Sequence, residues 1–193
     1  MDTKEKILVT SRAFFASYGY EGTTMLMIAK KVGIKKPSLY SHYTSKAKLF
    51  EDVLDKEVTE YISFLKEMLI SYDSPAEDKL YKLLAEHALG DNDKASMNFY
   101  YRFIKYQPQG LEDYAVAKFT EMENETKKIF DQILDRGKED REIDPALSNS
   151  QIYETYFLLL DGLSTMPDLY KKNFDEQDTQ GVWELFYRGI RNG

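Results

Sequence analysis

Residues 22–50 read GTTMLMIAKKVGIKKPSLYSHYTSKAKLF, and this stretch decides the fold. Thr23 or Thr24 would cap an apolar helix, because a threonine hydroxyl accepts from the free amides of a first turn. Gly33 then permits a left-handed turn. Pro37 fits the first turn of a new helix, where its missing N–H leaves no bond unmade. The pattern predicts a helix, a tight turn and a short second helix, followed by a third helix.

Most positions of the short second helix can donate hydrogen bonds. These donors are Lys35, Lys36, Ser38, Tyr40, Ser41 and His42. In a helix-turn-helix, the first helix crosses the DNA backbone and the second enters the major groove, where donors reach base edges and phosphates. The segment therefore indicates double-stranded DNA as a partner.

Charge is distributed unevenly along the chain, whose net charge is -7. Residues 1–50 hold nine basic and three acidic residues, a net charge of +6, and the remaining residues hold 17 basic and 30 acidic, a net charge of -13. A basic end on an acidic remainder is expected when only that end contacts a polyanion. The alternative is chance variation between short segments.

Composition and motifs exclude several classes of protein. Cysteine is absent, which removes disulfides and thiolate metal sites. No run approaches the roughly 18 apolar residues of a membrane span, and the polar start is unlike a signal peptide. Phosphate-binding glycine motifs, a nucleophile elbow and HExxH are missing, and His42 and His87 stand far apart in the sequence. We expect a cytoplasmic protein that is not an enzyme and has no cofactor, metal site or membrane contact.

Apolar periodicity is helical almost throughout, which predicts an all-α fold. We expect a first helix over about 3–18 that stops at Gly19, and a fourth that runs from Ser45 past Leu69. Further helices are predicted over about 76–90, 95–107, 110–138, 147–166 and 177–191, with breaks at Gly90 to Asn92, Pro108, the charged stretch Gly137 to Pro145, and Pro167.

Residues Ile7 to Leu54 resemble the N-terminal DNA-binding domain of the TetR family of bacterial transcriptional regulators. The matching elements are Ile7, Phe14-Phe15, Gly19-Tyr20, Thr23-Thr24, Ile28-Ala29, Val32-Gly33-Ile34, Lys36-Pro37-Ser38-Leu39-Tyr40, His42-Tyr43, Ser45-Lys46 and Leu49-Phe50. Their order and spacing fit over about a quarter of the chain. The resemblance implies a three-helix helix-turn-helix domain at 1–48 and a larger helical domain for effector binding and dimerisation at 49–193.

The resemblance also implies which residues meet DNA. Carried over by position, they are Thr24, Lys35, Lys36, Pro37, Ser38, Tyr40, Ser41, His42 and Lys46. We expect Lys36 to contact a base and Lys35 and Lys46 to contact phosphates. Solvated surface is the alternative for each lysine, and a core position is the alternative for Tyr40. Lys48 departs from the family pattern, because an acidic residue there would complete a capping box.

An aromatic segment at 97–106, MNFYYRFIKY, could line a cavity in the larger domain. Aromatic walls with polar tips suit a small molecule, and an aromatic or cationic effector is predicted. The candidate effector residues are Phe99, Tyr100, Phe103, Tyr106 and Tyr156, and Arg102 is among the charged groups that could assist them. For any single aromatic, ordinary core packing is the favoured alternative.

Two helices near the chain's end are apolar on two faces, which requires two partners. The predicted dimer residues are Ile152, Tyr156, Leu159, Leu163, Val182, Phe186 and Ile190. A twofold four-helix bundle satisfies both faces, and burial inside a monomer is the alternative.

These features together predict a ligand-responsive, sequence-specific transcriptional regulator. A homodimer would repress from a palindromic operator, because twofold symmetry sets two reading helices about one DNA turn apart. A small-molecule effector would release it. The alternative is an architectural or cell-division factor on the same scaffold, without an effector.

Overall fold

The computed structural model describes residues 1–70, 73–89, 94–171 and 174–193, and in these ranges the chain forms nine α-helices. They are α1 Thr3–Gly22, α2 Met25–Val32, α3 Lys36–His42, α4 Lys46–Leu69, α5 Ala76–Leu89, α6 Lys94–Lys105, α7 Glu112–Glu139, α8 Asn149–Tyr170 and α9 Glu176–Ile190. An isolated bridge pairs Ile143 with Arg191. The predicted all-α class is confirmed. None of the described helices has the length and apolar character needed to cross a membrane.

Helix ends follow the sequence signals closely, except that α1 continues past Gly19 to Gly22 and α8 continues past Pro167. The predicted helices over 95–107, 110–138 and 177–191 are confirmed within two residues at each end. The predicted break at Pro167 is wrong, because α8 continues to Tyr170. A proline in the last turn removes only one backbone hydrogen bond, so it need not end the helix. The predicted break at Gly90 to Asn92 lies outside the described residues.

The chain packs as two compact units. The first unit contains Met1–Tyr61 and Asp93–Glu123, and the second contains Ile62–Asn92 and Asn124–Gly193. The first unit therefore joins α6 and the start of α7 to α1, α2, α3 and the part of α4 that ends at Tyr61. The expected boundary between residues 48 and 49 concerns the division of function, and it stays a prediction.

Phe50 of α4 lies at the centre of the first unit's core. Its ring centroid is 5.4 Å from Phe15 and 5.4 Å from Tyr20. On another side it is 5.7 Å from Phe99 and 4.8 Å from Phe103, both on α6. Edge-to-face aromatic pairs at such distances stabilise beyond the area they bury. Helix α6 thus completes the core of the helix-turn-helix segment.

The second unit is built where α5, α8 and α9 meet. Tyr156 of α8 is fully buried, and its hydroxyl donates to the Leu80 carbonyl of α5 at 2.8 Å. Gly137 of α7 lies against two side chains: a Cβ placed there would be 2.8 Å from Cδ1 of Ile143 and 2.9 Å from Cβ of Ala76. Interiors packed this closely tolerate little added volume.

Candidate nucleic-acid interface

The chain enters the helix-turn-helix through a bend at Gly19. Gly19 has φ 75° and ψ 174°, a left-handed value that glycine adopts without strain. Thr23 is buried, and its hydroxyl donates to the Gly19 carbonyl at 2.8 Å. Thr24 is exposed and caps α2, because its Oγ1 accepts from the Met27 amide at 3.2 Å. Of the two threonines, Thr24 is therefore the cap and Thr23 closes the bend.

Gly33 makes the turn between α2 and α3. Its φ of 83° is left-handed, and its amide donates to the Ala29 and Lys30 carbonyls at 3.0 and 3.3 Å. A Cβ at Gly33 would meet no atom within 4 Å, so backbone conformation is the reason for glycine here. Pro37 stands in the first turn of α3, as the sequence predicts.

Helix α3 is exposed along its polar side. Leu39 is its buried residue and packs into the first unit. The exposed residues are Lys36, Pro37, Ser38, Tyr40, Ser41 and His42, and Lys35 before the helix is exposed as well. The alternative core position for Tyr40 does not hold, because its side chain is 42% exposed. The structure thus brings the predicted contact residues of this helix to one open surface, which we call the α3 surface.

Two intrahelical contacts order the α3 surface. The Lys36 ammonium lies 5.7 Å from the centroid of the Tyr40 ring, within the range of a cation–π interaction. The Ser41 hydroxyl donates to the Ser38 carbonyl at 2.7 Å, which leaves its oxygen free to accept. Lys30 and Lys31, at the end of α2, are also exposed. Sequence reasoning did not include these two lysines, although their charge beside Gly33 was a usable signal.

Lys46 begins α4 and turns back toward α1. Its Nζ donates to the Tyr20 carbonyl at 2.9 Å, lies 4.1 Å from the Tyr20 ring centroid, and is 3.6 Å from a Glu21 carboxylate oxygen. Its side chain is only 24% exposed. The predicted phosphate contact of Lys46 stays a prediction. In the structure, the Lys46 ammonium connects the start of α4 to the end of α1.

Lys48 faces solvent with its charge already compensated. Its Nζ is 3.1 Å from Glu51 and 3.0 Å from Asp52, and these hydrogen bonds raise the pKa of the ammonium. Its amide donates to Ser45 Oγ at 3.0 Å, which caps α4. The cap thus forms without the acidic residue of a capping box.

A polar cluster joins α1, α4 and α6 inside the first unit. Arg12 Nη1 lies 3.0 Å from Glu57 Oε1 and donates to Ser96 Oγ at 3.2 Å. The Ser96 hydroxyl donates in turn to Glu57. Burial raises the pKa of Glu57 above its ordinary value, although the bonds from Ser96 and Arg12 act in the opposite direction. The cluster fastens the start of α6 to the N-terminal helices.

The candidate effector residues lie in different surroundings. Phe99 and Phe103 are buried, with ring centroids 4.7 Å apart, and pack on Phe50. Tyr100 is half-buried beside Phe119, whereas Tyr106 is 74% exposed. Tyr156 belongs to the second unit. In that unit, a cavity of about 310 Å³ is lined by other residues, among them Leu69, Ile133 and Arg136.

The exposed apolar residues of α8 and α9 differ from the predicted dimer residues. Buried within the second unit are Ile152, Tyr156, Leu163, Phe186 and Ile190, while Leu159 and Val182 are half-buried. Leu158 and Leu185 are instead 73% and 75% exposed. Both helices are apolar on two sides, so periodicity alone did not show which side faces outward. Among the described residues, no group of three or more His, Asp or Glu could hold a metal ion.

Sequence comparison finds similarity to bacterial regulatory proteins in the N-terminal part of the chain. Residues 7–53 match the family model described as "Bacterial regulatory proteins, tetR family". The biofilm operon icaADBC HTH-type negative transcriptional regulator IcaR of Staphylococcus aureus is 37% identical over 83 residues, which are 43% of this chain and 44% of that protein. The IcaR of Staphylococcus epidermidis is 36% identical over 81 residues, 42% and 43% of the two chains. The match thus spans less than half the length of these curated relatives.

Solved structures share the whole fold at low sequence identity. The reduced form of Escherichia coli NemR has a TM-score of 0.80 at 14% identity, with all of both chains covered. The transcriptional regulator FadR of Bacillus subtilis, solved in complex with stearoyl-CoA, has a TM-score of 0.73 at 19% identity, covering 97% of this chain and 99% of that one. These similarities concern the fold alone.

Proposed function

We propose that this chain, whose residues 7–53 match the family model "Bacterial regulatory proteins, tetR family", is a sequence-specific transcriptional repressor. It binds a palindromic operator as a homodimer, and a small-molecule effector releases it. The observation that carries the proposal is the α3 surface, where one buried leucine anchors a helix whose remaining side chains are open to solvent. Hydrogen-bond donors on an exposed second helix of a helix-turn-helix are placed to read a major groove.

Each residue of the α3 surface has a proposed role. Lys36 donates to guanine O6 or N7, and Lys35 neutralises a phosphate. Pro37 presents apolar surface to a thymine methyl group. Ser38 and Ser41 bond base edges or phosphates, and Tyr40 and His42 bond the phosphates that flank the groove. Thr24, at the first turn of α2, adds its hydroxyl to a phosphate, where the N-terminus of a helix favours an anion.

The homodimer is proposed to form through α8 and α9. Leu158 and Leu185 are large apolar side chains that remain exposed on these two helices. Each is followed four residues later by a glycine, Gly162 or Gly189, next to which a Cβ would meet no atom within 4 Å. Residues four apart share one helix face, so each leucine lies beside open space that a second copy could fill.

A curated relative supports repression, and a protein of the same fold supports the binding of a small molecule. IcaR is named a negative regulator of its operon, and FadR was solved with an acyl-CoA. We propose an aromatic or cationic effector for this chain, bound near α6. The packing of Phe99 and Phe103 on Phe50 means that a ligand at these aromatics would disturb the core beneath α4. Effector and DNA would then oppose each other through one coupling free energy, typically about 1–3 kcal/mol.

The test begins with capture of DNA fragments from the source genome by the purified protein, followed by affinity measurements on a captured fragment and a scrambled duplex. Lys36→Ala is expected to weaken fragment binding by about 1–3 kcal/mol and to relax sequence choice. Lys105→Ala, which removes an exposed charge on α6, serves as the control and should bind as the wild type does. Equal losses on fragment and scrambled duplex for Lys36→Ala would contradict base reading, and no enriched fragment would contradict the function.

A further inference from the structure

Gly19 has non-helical backbone angles inside α1, and these angles bend the helix at this point. Carbonyls of a last helical turn have no helical amide to accept from, and they need other donors. Two carbonyls at the bend accept hydrogen bonds from side chains. The Gly19 carbonyl accepts from the Thr23 hydroxyl at 2.8 Å, and the Tyr20 carbonyl accepts from Lys46 Nζ of α4 at 2.9 Å. The Ala16 and Ser17 carbonyls lie just before the bend.

Arg102 of α6 donates to both of these carbonyls, although it lies 85 residues beyond Ser17 in the chain. Its Nε donates to the Ala16 carbonyl at 2.9 Å, and its Nη2 lies 3.5 Å from the Ser17 carbonyl. A guanidinium presents these donors in one rigid fork, which lysine cannot imitate. Its positive charge also suits the negative end of the α1 dipole. Arg102 is thus the C-terminal cap of the regular part of α1, supplied by a distant helix.

The capped turn leads directly into the DNA-reading segment. After Gly19 come Tyr20, which Lys46 ties to the start of α4, and then Thr24, which caps α2. A Cβ at Gly19 would lie 3.2 Å from Arg102 Nη1, so the guanidinium fits closely against the bend. A change in the angle of the bend would therefore shift the start of α2 and, with it, α3.

We propose that Arg102 is a positioning residue for DNA binding. It acts through the Ala16 and Ser17 carbonyls to hold the bend at Gly19, and so holds α2 and α3 at the angle that matches the operator. It does not contact DNA itself. The inference rests on the proposed function and assigns to Arg102 a task at the α1 bend, separate from the charged contribution to an effector site that the sequence suggested.

The test compares Arg102→Ala and Arg102→Lys with wild-type protein on the captured fragment and the scrambled duplex, over a series of salt concentrations. Arg102→Ala is expected to bind the fragment about fivefold to tenfold more weakly, since a lost cap at this bend acts on the orientation of two helices. Binding to the scrambled duplex and the salt slope should stay unchanged. Arg102→Lys should fall between the two. Lys105→Ala is the matched control for charge on the same helix.

Hydrogen exchange in the free protein gives a second readout. In Arg102→Ala, amides of residues 19–30 should exchange faster than in wild type, while those of α9 should not change. Fragment binding within twofold of wild type would overturn the proposal, and so would a reduced salt slope, because that would make Arg102 a phosphate contact. A similar loss in Lys105→Ala would also overturn it. A wild-type protein that selects no DNA would overturn the proposed function as well, whereas selective wild-type binding with an unaffected variant would overturn the role of Arg102 alone.

Discussion

The hydroxyl of Tyr43 lies in the core of the first unit, directly after α3. The side chain is 2% exposed, and among the described residues none forms a hydrogen bond with the hydroxyl. A buried polar group without a partner costs about 1–3 kcal/mol. Phenylalanine at this position would have the same shape without the hydroxyl.

We expect Tyr43→Phe to raise the free energy of unfolding by about 0.5–2 kcal/mol, because it removes the unpaired hydroxyl and leaves the ring packed. Urea unfolding followed by circular dichroism measures the change. Tyr156→Phe is the matched control and should destabilise by about 1–2 kcal/mol, since the Tyr156 hydroxyl donates to the Leu80 carbonyl. A clear loss of stability in Tyr43→Phe would show that its hydroxyl has a partner.

The same hydroxyl predicts a dependence on pH. Burial and, to a lesser extent, the negative charge of Asp52 raise the pKa of Tyr43 to about 12, although the positive charge of Lys48 acts in the opposite direction. An unfolded chain releases a tyrosine proton near pH 10, so between pH 10 and 12 the folded state holds a proton that the unfolded state has lost. The contribution to stability is present below pH 10 and is lost as pH rises toward 12. The advantage of Tyr43→Phe over wild type should therefore grow across this window in unfolding curves measured at each pH.

The sequence predicted which residues of α3 are exposed, but it did not predict the partners of individual lysines. Pro37, Gly33 and Leu39 leave few ways to place the short helix, so its exposed residues follow from local rules. Lys46 and Lys48 are both lysines at the start of α4, yet one is tied to Tyr20 and the other to Glu51 and Asp52. Such partners depend on tertiary distances, which a charge pattern does not contain.

At the scale of single helices, Gly137 of α7 lies where the side chains of Ile143 and Ala76 pack closely against the helix backbone. Helix propensity alone favours alanine over glycine by up to about 1 kcal/mol. The contacts at 2.8 and 2.9 Å with Ile143 and Ala76 have the opposite effect, because both neighbours are packed in the second unit. Tertiary contact therefore decides this position.

Gly137→Ala is expected to destabilise the protein by about 1–3 kcal/mol, as overpacked cores do. The same substitution in an Ile143→Val background should cost less, because valine lacks the Cδ1 atom that lies nearest. A double-mutant cycle from urea unfolding gives the coupling. If alanine stabilised the protein in both backgrounds, propensity would outweigh the contact and the predicted sign would be wrong.

Helix positions were predictable because glycine, proline and capping residues act locally, as at Gly19, where the predicted stop appears as the bend. The sequence did not predict which face of a helix is exposed to solvent. Helices α8 and α9 carry apolar residues on two sides, and Leu158 and Leu185 are distinguished from Tyr156 and Phe186 only by the packing of the second unit. Placement of α6 with the N-terminal helices likewise depends on contacts between residues far apart in sequence.

For the whole molecule, the proposed dimer has the two exposed leucines, Leu158 and Leu185, in its interface. We expect Leu185→Glu to convert a dimer to a monomer at micromolar concentration, because a charge in an apolar interface loses its hydration. Sedimentation velocity measures the mass, and affinity for the captured fragment should fall with it, since one half-site is then bound alone. Val116→Glu is the control, an exposed apolar residue of α7 outside α8 and α9. A Leu185→Glu protein of unchanged mass would place the interface elsewhere.

The packing of Phe99 and Phe103 on Phe50 has a consequence for exchanging segments between proteins of this fold. A chimera that grafts residues 1–48 onto the body of another protein would separate Phe15 and Tyr20 from the Phe50 ring, and the Ala16 carbonyl from Arg102. The helix-turn-helix segment is therefore not structurally independent at the point where its sequence motif ends. A chimera that keeps this core intact needs α6 as well, so the proposed DNA-binding surface and α6 should be transferred together.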